Sequence, residues 1–164
     1  MELVLTDETL MAIAQIALAL IGFSGVVVTL GKGDGRWSDV ELLQLKTLVE
    51  PSLVVLAAAF IPYGLTLMNF SGDVLWRVSN GALMLLHAIG NSLFIARGIK
   101  NSSSVVTGQL VTQTICLFIY ALLIGSVFNL FSYHQLAFLL GLLIGILVSV
   151  HNFYLLIFRK EGST

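Results

Sequence analysis

The chain has 164 residues, of which 57% are hydrophobic and only 10% charged, and its mean hydropathy is +0.98. Soluble domains carry about 25% charged residues, so this composition excludes an ordinary soluble globular domain. Eight basic and nine acidic residues give a net charge of -1, which leaves no basic surface for nucleic acid.

The first ten residues, MELVLTDETL, contain no Lys or Arg. A secretory signal needs a basic start, so the first apolar segment is expected to remain in the protein. A membrane-crossing helix takes about 20 apolar residues. Five stretches meet this length, roughly 10–30, 48–70, 76–97, 108–131 and 136–158. The expected fold is therefore all-α: one membrane domain, 1–164, of five transmembrane helices with short connections.

The first span carries Ala12, Gln15, Ala19, Gly22, Val26 and Thr29 on one side. Small residues in such a seam, with Gly25 beside it, let helix backbones approach closely. The connector LGKGDGRWSDVE follows. Its glycines break the helix, and Ser38 with Glu41 offers a capping box. GKGDGR lacks the ending of a phosphate-binding loop and follows no strand, so it reads as a connector.

Residues 39–49, DVELLQLKTLV, alternate charge and leucine at helical spacing. They predict an amphipathic helix on the membrane surface that turns into the second span at Pro51. Pro51 and Pro62 each remove one bond of the helical ladder, to the carbonyls of Thr47 and Ala58. Glu50, one turn after Lys46, is either half of an interfacial ion pair or a charge at the mouth of a pore.

The third span holds Arg77, Asn80, His87 and Asn91, spaced by three, seven and four residues. At 100° per residue these fall on one stripe, which must face protein or water because lipid offers no partner. The fourth span repeats the pattern with Gln109, Gln113, Cys116 and Tyr120. In the fifth, Gly141, Gly145 and Ser149 form a second small-residue seam, with His151 and Asn152 beyond it. The lone Cys116 permits no intramolecular disulfide, and no cofactor motif or metal-ligand cluster is read.

Seven of the eight basic residues fall on one side if the amino terminus is outside and the carboxyl terminus inside; only Arg77 is then outside. The positive-inside rule selects that orientation. Trp37, Trp76 and Tyr133 would then sit in the aromatic belts at the two membrane surfaces.

Two resemblances follow from these motifs. GFSG at 22–25, with His87 and Asn91 as H-x-x-x-N, resembles the rhomboid intramembrane serine proteases, which would make Ser24 the nucleophile and His151 the base. Here the H-x-x-x-N segment follows the serine instead of preceding it, and five spans stand where that family has six. No enzyme is expected on this basis. IALALIGFSGVVVTL with RWSDVELLQLKTLVEPSL resembles a scattered group of small bacterial multi-pass membrane proteins. That resemblance covers about the first 60 residues. It implies a bacterial inner membrane and no particular activity.

The functional expectation is a small homo-oligomeric pore or passage for ions or small solutes. Asn80, His87, Asn91, Gln109 and Gln113 would line it, with Glu50 at the inner mouth. Gly22, Gly25, Gly141, Gly145 and Ser149 would serve helix packing. The alternative is a non-conducting scaffold or a subunit joined to a further protein, in which the polar stripes only bind helices together.

Overall fold

The computed structural model describes residues 5–31, 39–100 and 106–158; several helix-end side chains, including those of 93–100 and 106–113, fall outside that description. The described residues form six helices: α1 Asp7–Gly31, α2 Asp39–Ala59, α3 Ile61–Leu67, α4 Gly72–Lys100, α5 Val106–Val127 and α6 His134–Phe158. Among the described residues, three apolar stretches are long enough to cross a membrane: Asp7–Thr29, Leu45–Leu67 and His134–Tyr154. The second of these runs through α2 and α3. The apolar part of α5 within the described residues, Thr114–Val127, is shorter. α4 is about 43 Å long at 1.5 Å per residue, yet it carries Asp73, Arg77, Asn80, His87 and Asn91.

The structure corrects the expected turn at Pro51. The amphipathic segment and the second span are one continuous helix, and Pro51 lies inside it. A proline fits the φ of a helix, and the loss of one ladder bond did not stop this one. The chain breaks instead at Phe60. Pro62 occupies the first turn of α3, where a missing N–H costs nothing. The Phe60 amide donates to Ala57, one residue short of the α-helical partner, and Thr66 Oγ1 donates back to the Pro62 carbonyl at 2.9 Å.

α2 is the central helix. It packs on α1, α4 and α6, while α5 leans on α4 and α6. The core between them is aliphatic, with Val55, Leu83, Leu123, Phe138 and Leu142 buried. Trp76 belongs to it as well. Expected in a surface belt, it is buried against Phe138 with ring centroids 5.8 Å apart, because it sits on the α4 face that turns to α6. Tyr133 is exposed, at 71%. Trp37 lies outside the described residues.

Two glycines of α6 explain the close packing. A Cβ on Gly145 would lie 2.5 Å from Val55 Cγ2 of α2, and one on Gly141 would lie 2.7 Å from Leu83 Cδ2 of α4. Both glycines therefore stand where two helices approach closely. One turn on, Ser149 is fully buried. Its hydroxyl donates to the Gly145 carbonyl at 3.1 Å, and Ser52 of α2 reaches it at 2.9 Å. Gly22 and Gly25 differ. Both are exposed, and nothing lies within 4 Å of a Cβ built on either. Within one protomer they make no packing contact. Ala12, Gln15, Ala19, Gly22, Val26 and Thr29 are all exposed. The buried residues Leu10, Ile13, Ala17 and Ser24 occupy the opposite side of α1.

Candidate functional site: a polar cavity between α2, α4, α5 and α6

The predicted polar residues divide between two places. One is a cavity with about 80 Å³ of space for water-sized molecules. One water needs about 10–15 Å³ of such space, so several fit. α2 contributes Thr47, Glu50 and Pro51; α4 contributes His87 and Asn91; α5 contributes Cys116 and Tyr120. Val54, Ile119, Ile144 and Val148 supply apolar wall. Glu50, His87 and Asn91 were expected together, and they line one space. The space is a partly open cleft between four helices of one protomer. The side chains of Gln109 and Gln113 lie outside the described residues.

Each side chain is placed by helical periodicity. His87 and Asn91 are four apart on α4, as are Cys116 and Tyr120 on α5, so each pair shares a face. The Tyr120 hydroxyl and the Asn91 amide hydrogen-bond across the two helices. The His87 ring hydrogen-bonds the backbone of Gly141 on α6. Its Nε2 is buried and has no hydrogen-bond partner. Gly145 lies beside the ring: a Cβ there would be in ordinary contact with His87 Cε1, at 3.5 Å.

Asn80 goes elsewhere. It lies seven residues before His87, about 10 Å along α4, in a closed polar cluster that the sequence reading missed. Its Nδ2 donates to Ser126 Oγ at 2.7 Å and to the His134 carbonyl at 2.9 Å. Ser126 Oγ lies 2.9 Å from His134 Nδ1, and His134 Nε2 lies 3.0 Å from Asn129 Oδ1. An amide oxygen only accepts, so His134 Nε2 carries the proton and Nδ1 accepts from Ser126. Asn80, Ser126 and His134 are buried, and Asn80 Oδ1 has no partner.

Local backbone chemistry builds this cluster. Asn129 takes a left-handed φ of 58°. The amides of Asn129 and Leu130 then donate to Ser126 and Gly125, which closes α5 in a Schellman motif. Asn69 ends α3 in the same way, with φ 65° and the Phe70 amide bonded to Leu65. Arg77 Nε adds a bond to the Val127 carbonyl at 3.0 Å, placing a cation at the carboxyl end of α5. A signal for the cluster was present: Asn129 and His134 flank the turn between two apolar runs, and asparagine is favoured in left-handed helix ends.

Ser126, His134 and Asn129 hold the order of nucleophile, base and orienting group. The serine is fully buried, however, and its hydroxyl is engaged by His134 and by Asn80 of α4. Ser24, the other serine considered, donates to the carbonyl of Ile21 in its own helix at 2.5 Å. His151 is exposed. Among the described residues no group of three or more His, Cys, Asp or Glu side chains could hold a metal ion.

No family model, curated protein or solved structure matches this chain.

Proposed function

We propose that the protein is a membrane passage for ions or small solutes, with the cavity beside Pro51 as its solute-holding chamber. The observation that carries this reading is the convergence of Glu50, His87 and Asn91, from two helices, on one partly open cavity. In a helical membrane protein, ionisable side chains at depth are costly to keep, and they collect where solutes or protons move. A proline inside α2 beside the chamber fits a passage, since interrupted helices commonly line such sites. The reading takes α4 and α5 as two further spans, giving five, with the amino terminus outside in a bacterial inner membrane. Seven of the eight basic residues then lie on the cytoplasmic side.

The test is flux through purified protein in liposomes, wild type beside His87→Gln and Glu50→Gln. A passage through this chamber gives flux that both substitutions reduce. Folded protein with no flux for any ion or small solute tried would sink the reading.

The second reading, a scaffold that joins copies of itself, draws on the outer face of α1. Gln15 is exposed there on an apolar helix of membrane-crossing length, beside Ala12, Ala19 and Gly22. Lipid cannot satisfy an amide, whereas a second copy can do so reciprocally across a two-fold axis. Gln15→Leu is expected to lower the dimer fraction in cross-linking from membranes. An unchanged fraction would remove α1 from any such interface.

A further inference from the structure

The four helices around the chamber change polarity twice along the bundle. Contacts match their depths. Gly145 of α6 lies against Val55 and His87, and Gly141 lies against Leu83 and Leu123. His134, at the start of α6, meets Asn80 and Ser126. Three tiers follow. The first is the chamber, with His87, Asn91 and Tyr120. The second is apolar: Val55, Leu83, Leu123 and Leu142, each without exposed surface. The third is the hydrogen-bonded cluster of Asn80, Ser126 and His134.

The order on α4 is thus His87, Leu83, Asn80, and on α5 it is Tyr120, Leu123, Ser126. His87 and Asn80 stand about 10 Å apart along the axis at 1.5 Å per residue. One dry aliphatic tier with polar groups on both sides is the arrangement of a hydrophobic constriction, which stops water and ions by staying unwetted. Among the described residues, the buried side-chain N and O atoms without a hydrogen-bond partner are His87 Nε2 and Asn80 Oδ1. They flank the apolar tier on the same helix. Water admitted between them would offer each a partner, and a buried polar atom without one is costly. Apolar burial favours the dry tier, and these two atoms favour the wet one. Gly141 and Gly145 let the tier close, because Leu83 and Val55 fill the space that a Cβ would need.

We infer that Val55, Leu83, Leu123 and Leu142 are the closed gate of the passage, so that water reaches the chamber only from the end remote from the α5–α6 turn. The gate rests on the passage proposed for this chamber, and sided labelling tests it apart from flux.

Cys116 supplies the readout, since it is the sole cysteine of the chain and lines the chamber. The full-length protein is expressed in bacteria, and spheroplasts and inverted vesicles are treated with trimethylammonioethyl methanethiosulfonate, a cationic thiol reagent that does not cross lipid. Modification is followed by mass spectrometry. Tyr133→Cys with Cys116→Ser marks the face that holds the turn, where Tyr133 is exposed. Cys116 is expected to react from the opposite face. From the turn's face it should react about a hundredfold more slowly, the penalty for bringing one charge into apolar surroundings. Val55→Thr adds a hydroxyl at constant shape, and Leu83→Ala removes bulk. Each is expected to make Cys116 reactive from both faces, whereas Ile13→Ala, buried on α1 away from the tier, leaves labelling one-sided. Reaction of the wild type from both faces, or from neither, overturns the gate. So do folded Val55→Thr and Leu83→Ala proteins that stay one-sided, or an Ile13→Ala protein that opens equally. One-sided labelling with no flux in wild type or opened variants sinks the passage and leaves the barrier; wild-type flux with labelling from both faces does the reverse.

Discussion

The molecule holds two buried histidines in two kinds of company. At the α5–α6 turn, His134 has both ring nitrogens engaged, by Ser126 and Asn129, and Phe131 stacks on the ring at 6.1 Å. In the chamber, His87 uses one nitrogen on Gly141, and the other is buried without a partner beside open space. The joint also leaves one acceptor over, Asn80 Oδ1, so an unmet valence does not by itself mark a site. What separates the two histidines is the space beside the ring, which His87 borders. The difference teaches that a polar residue in an apolar helix is not informative by type, and that its bonds have to be read together with the space around it.

The sharpest way to break this comparison is to remove both rings. His134→Ala leaves a void and deprives the buried Ser126 hydroxyl of its acceptor, so it should cost about 3 kcal/mol in a denaturation series. His87→Gln should cost under about 1 kcal/mol, because it loses one bond at a partly open site, while flux falls. If the two losses are equal, the distinction between joint and site is wrong.

The two glycine seams offer the next contrast. Gly145→Ala drives a methyl into Val55. Overpacking of this kind costs about 1–3 kcal/mol. Gly22→Ala meets nothing within the protomer, so its expected effect on the fold is a gain of up to about 1 kcal/mol from helix propensity. A large loss at Gly22 in the isolated protomer would overturn the outward placing of that face.

The smallest effect is expected at the serine bridge. Ser52 has one proton and two acceptors, the Leu48 carbonyl at 3.0 Å and Ser149 Oγ at 2.9 Å. A double-mutant cycle with Ser52→Ala and Ser149→Ala should return a coupling of about 0.6 kcal/mol, typical of hydrogen bonds between membrane helices. A coupling near zero would mean that Ser52 spends its proton within its own helix.

Much of the helical frame was legible in the sequence, because apolar length and turn residues are written locally. The spans begin and end within a few residues of α1, α4, α5 and α6. The joining of the interfacial segment to α2 was not legible, since a proline that kinks and one that is merely tolerated look alike without their neighbours. Of the site, the periodicity of α4 found His87 and Asn91. It also drew Asn80 into the same stripe, because a stripe records direction around a helix and not depth along it. The His134 cluster escaped notice for a related reason. Its members lie on α4, on α5 and in the turn, and no single helix displays them.

The Schellman ending of α5 has a mechanical consequence. Ser126 and Asn129 fix that end of the helix to α4 and α6, so a rocking motion of α5 would pivot there. Tyr120 and Cys116 lie six and ten residues from Ser126, about 9 and 15 Å along the axis. A tilt of the helix would then displace Cys116 more than Tyr120 and widen the chamber from the side remote from the turn. The His134 joint would thus act as the fulcrum for the cavity ten residues away.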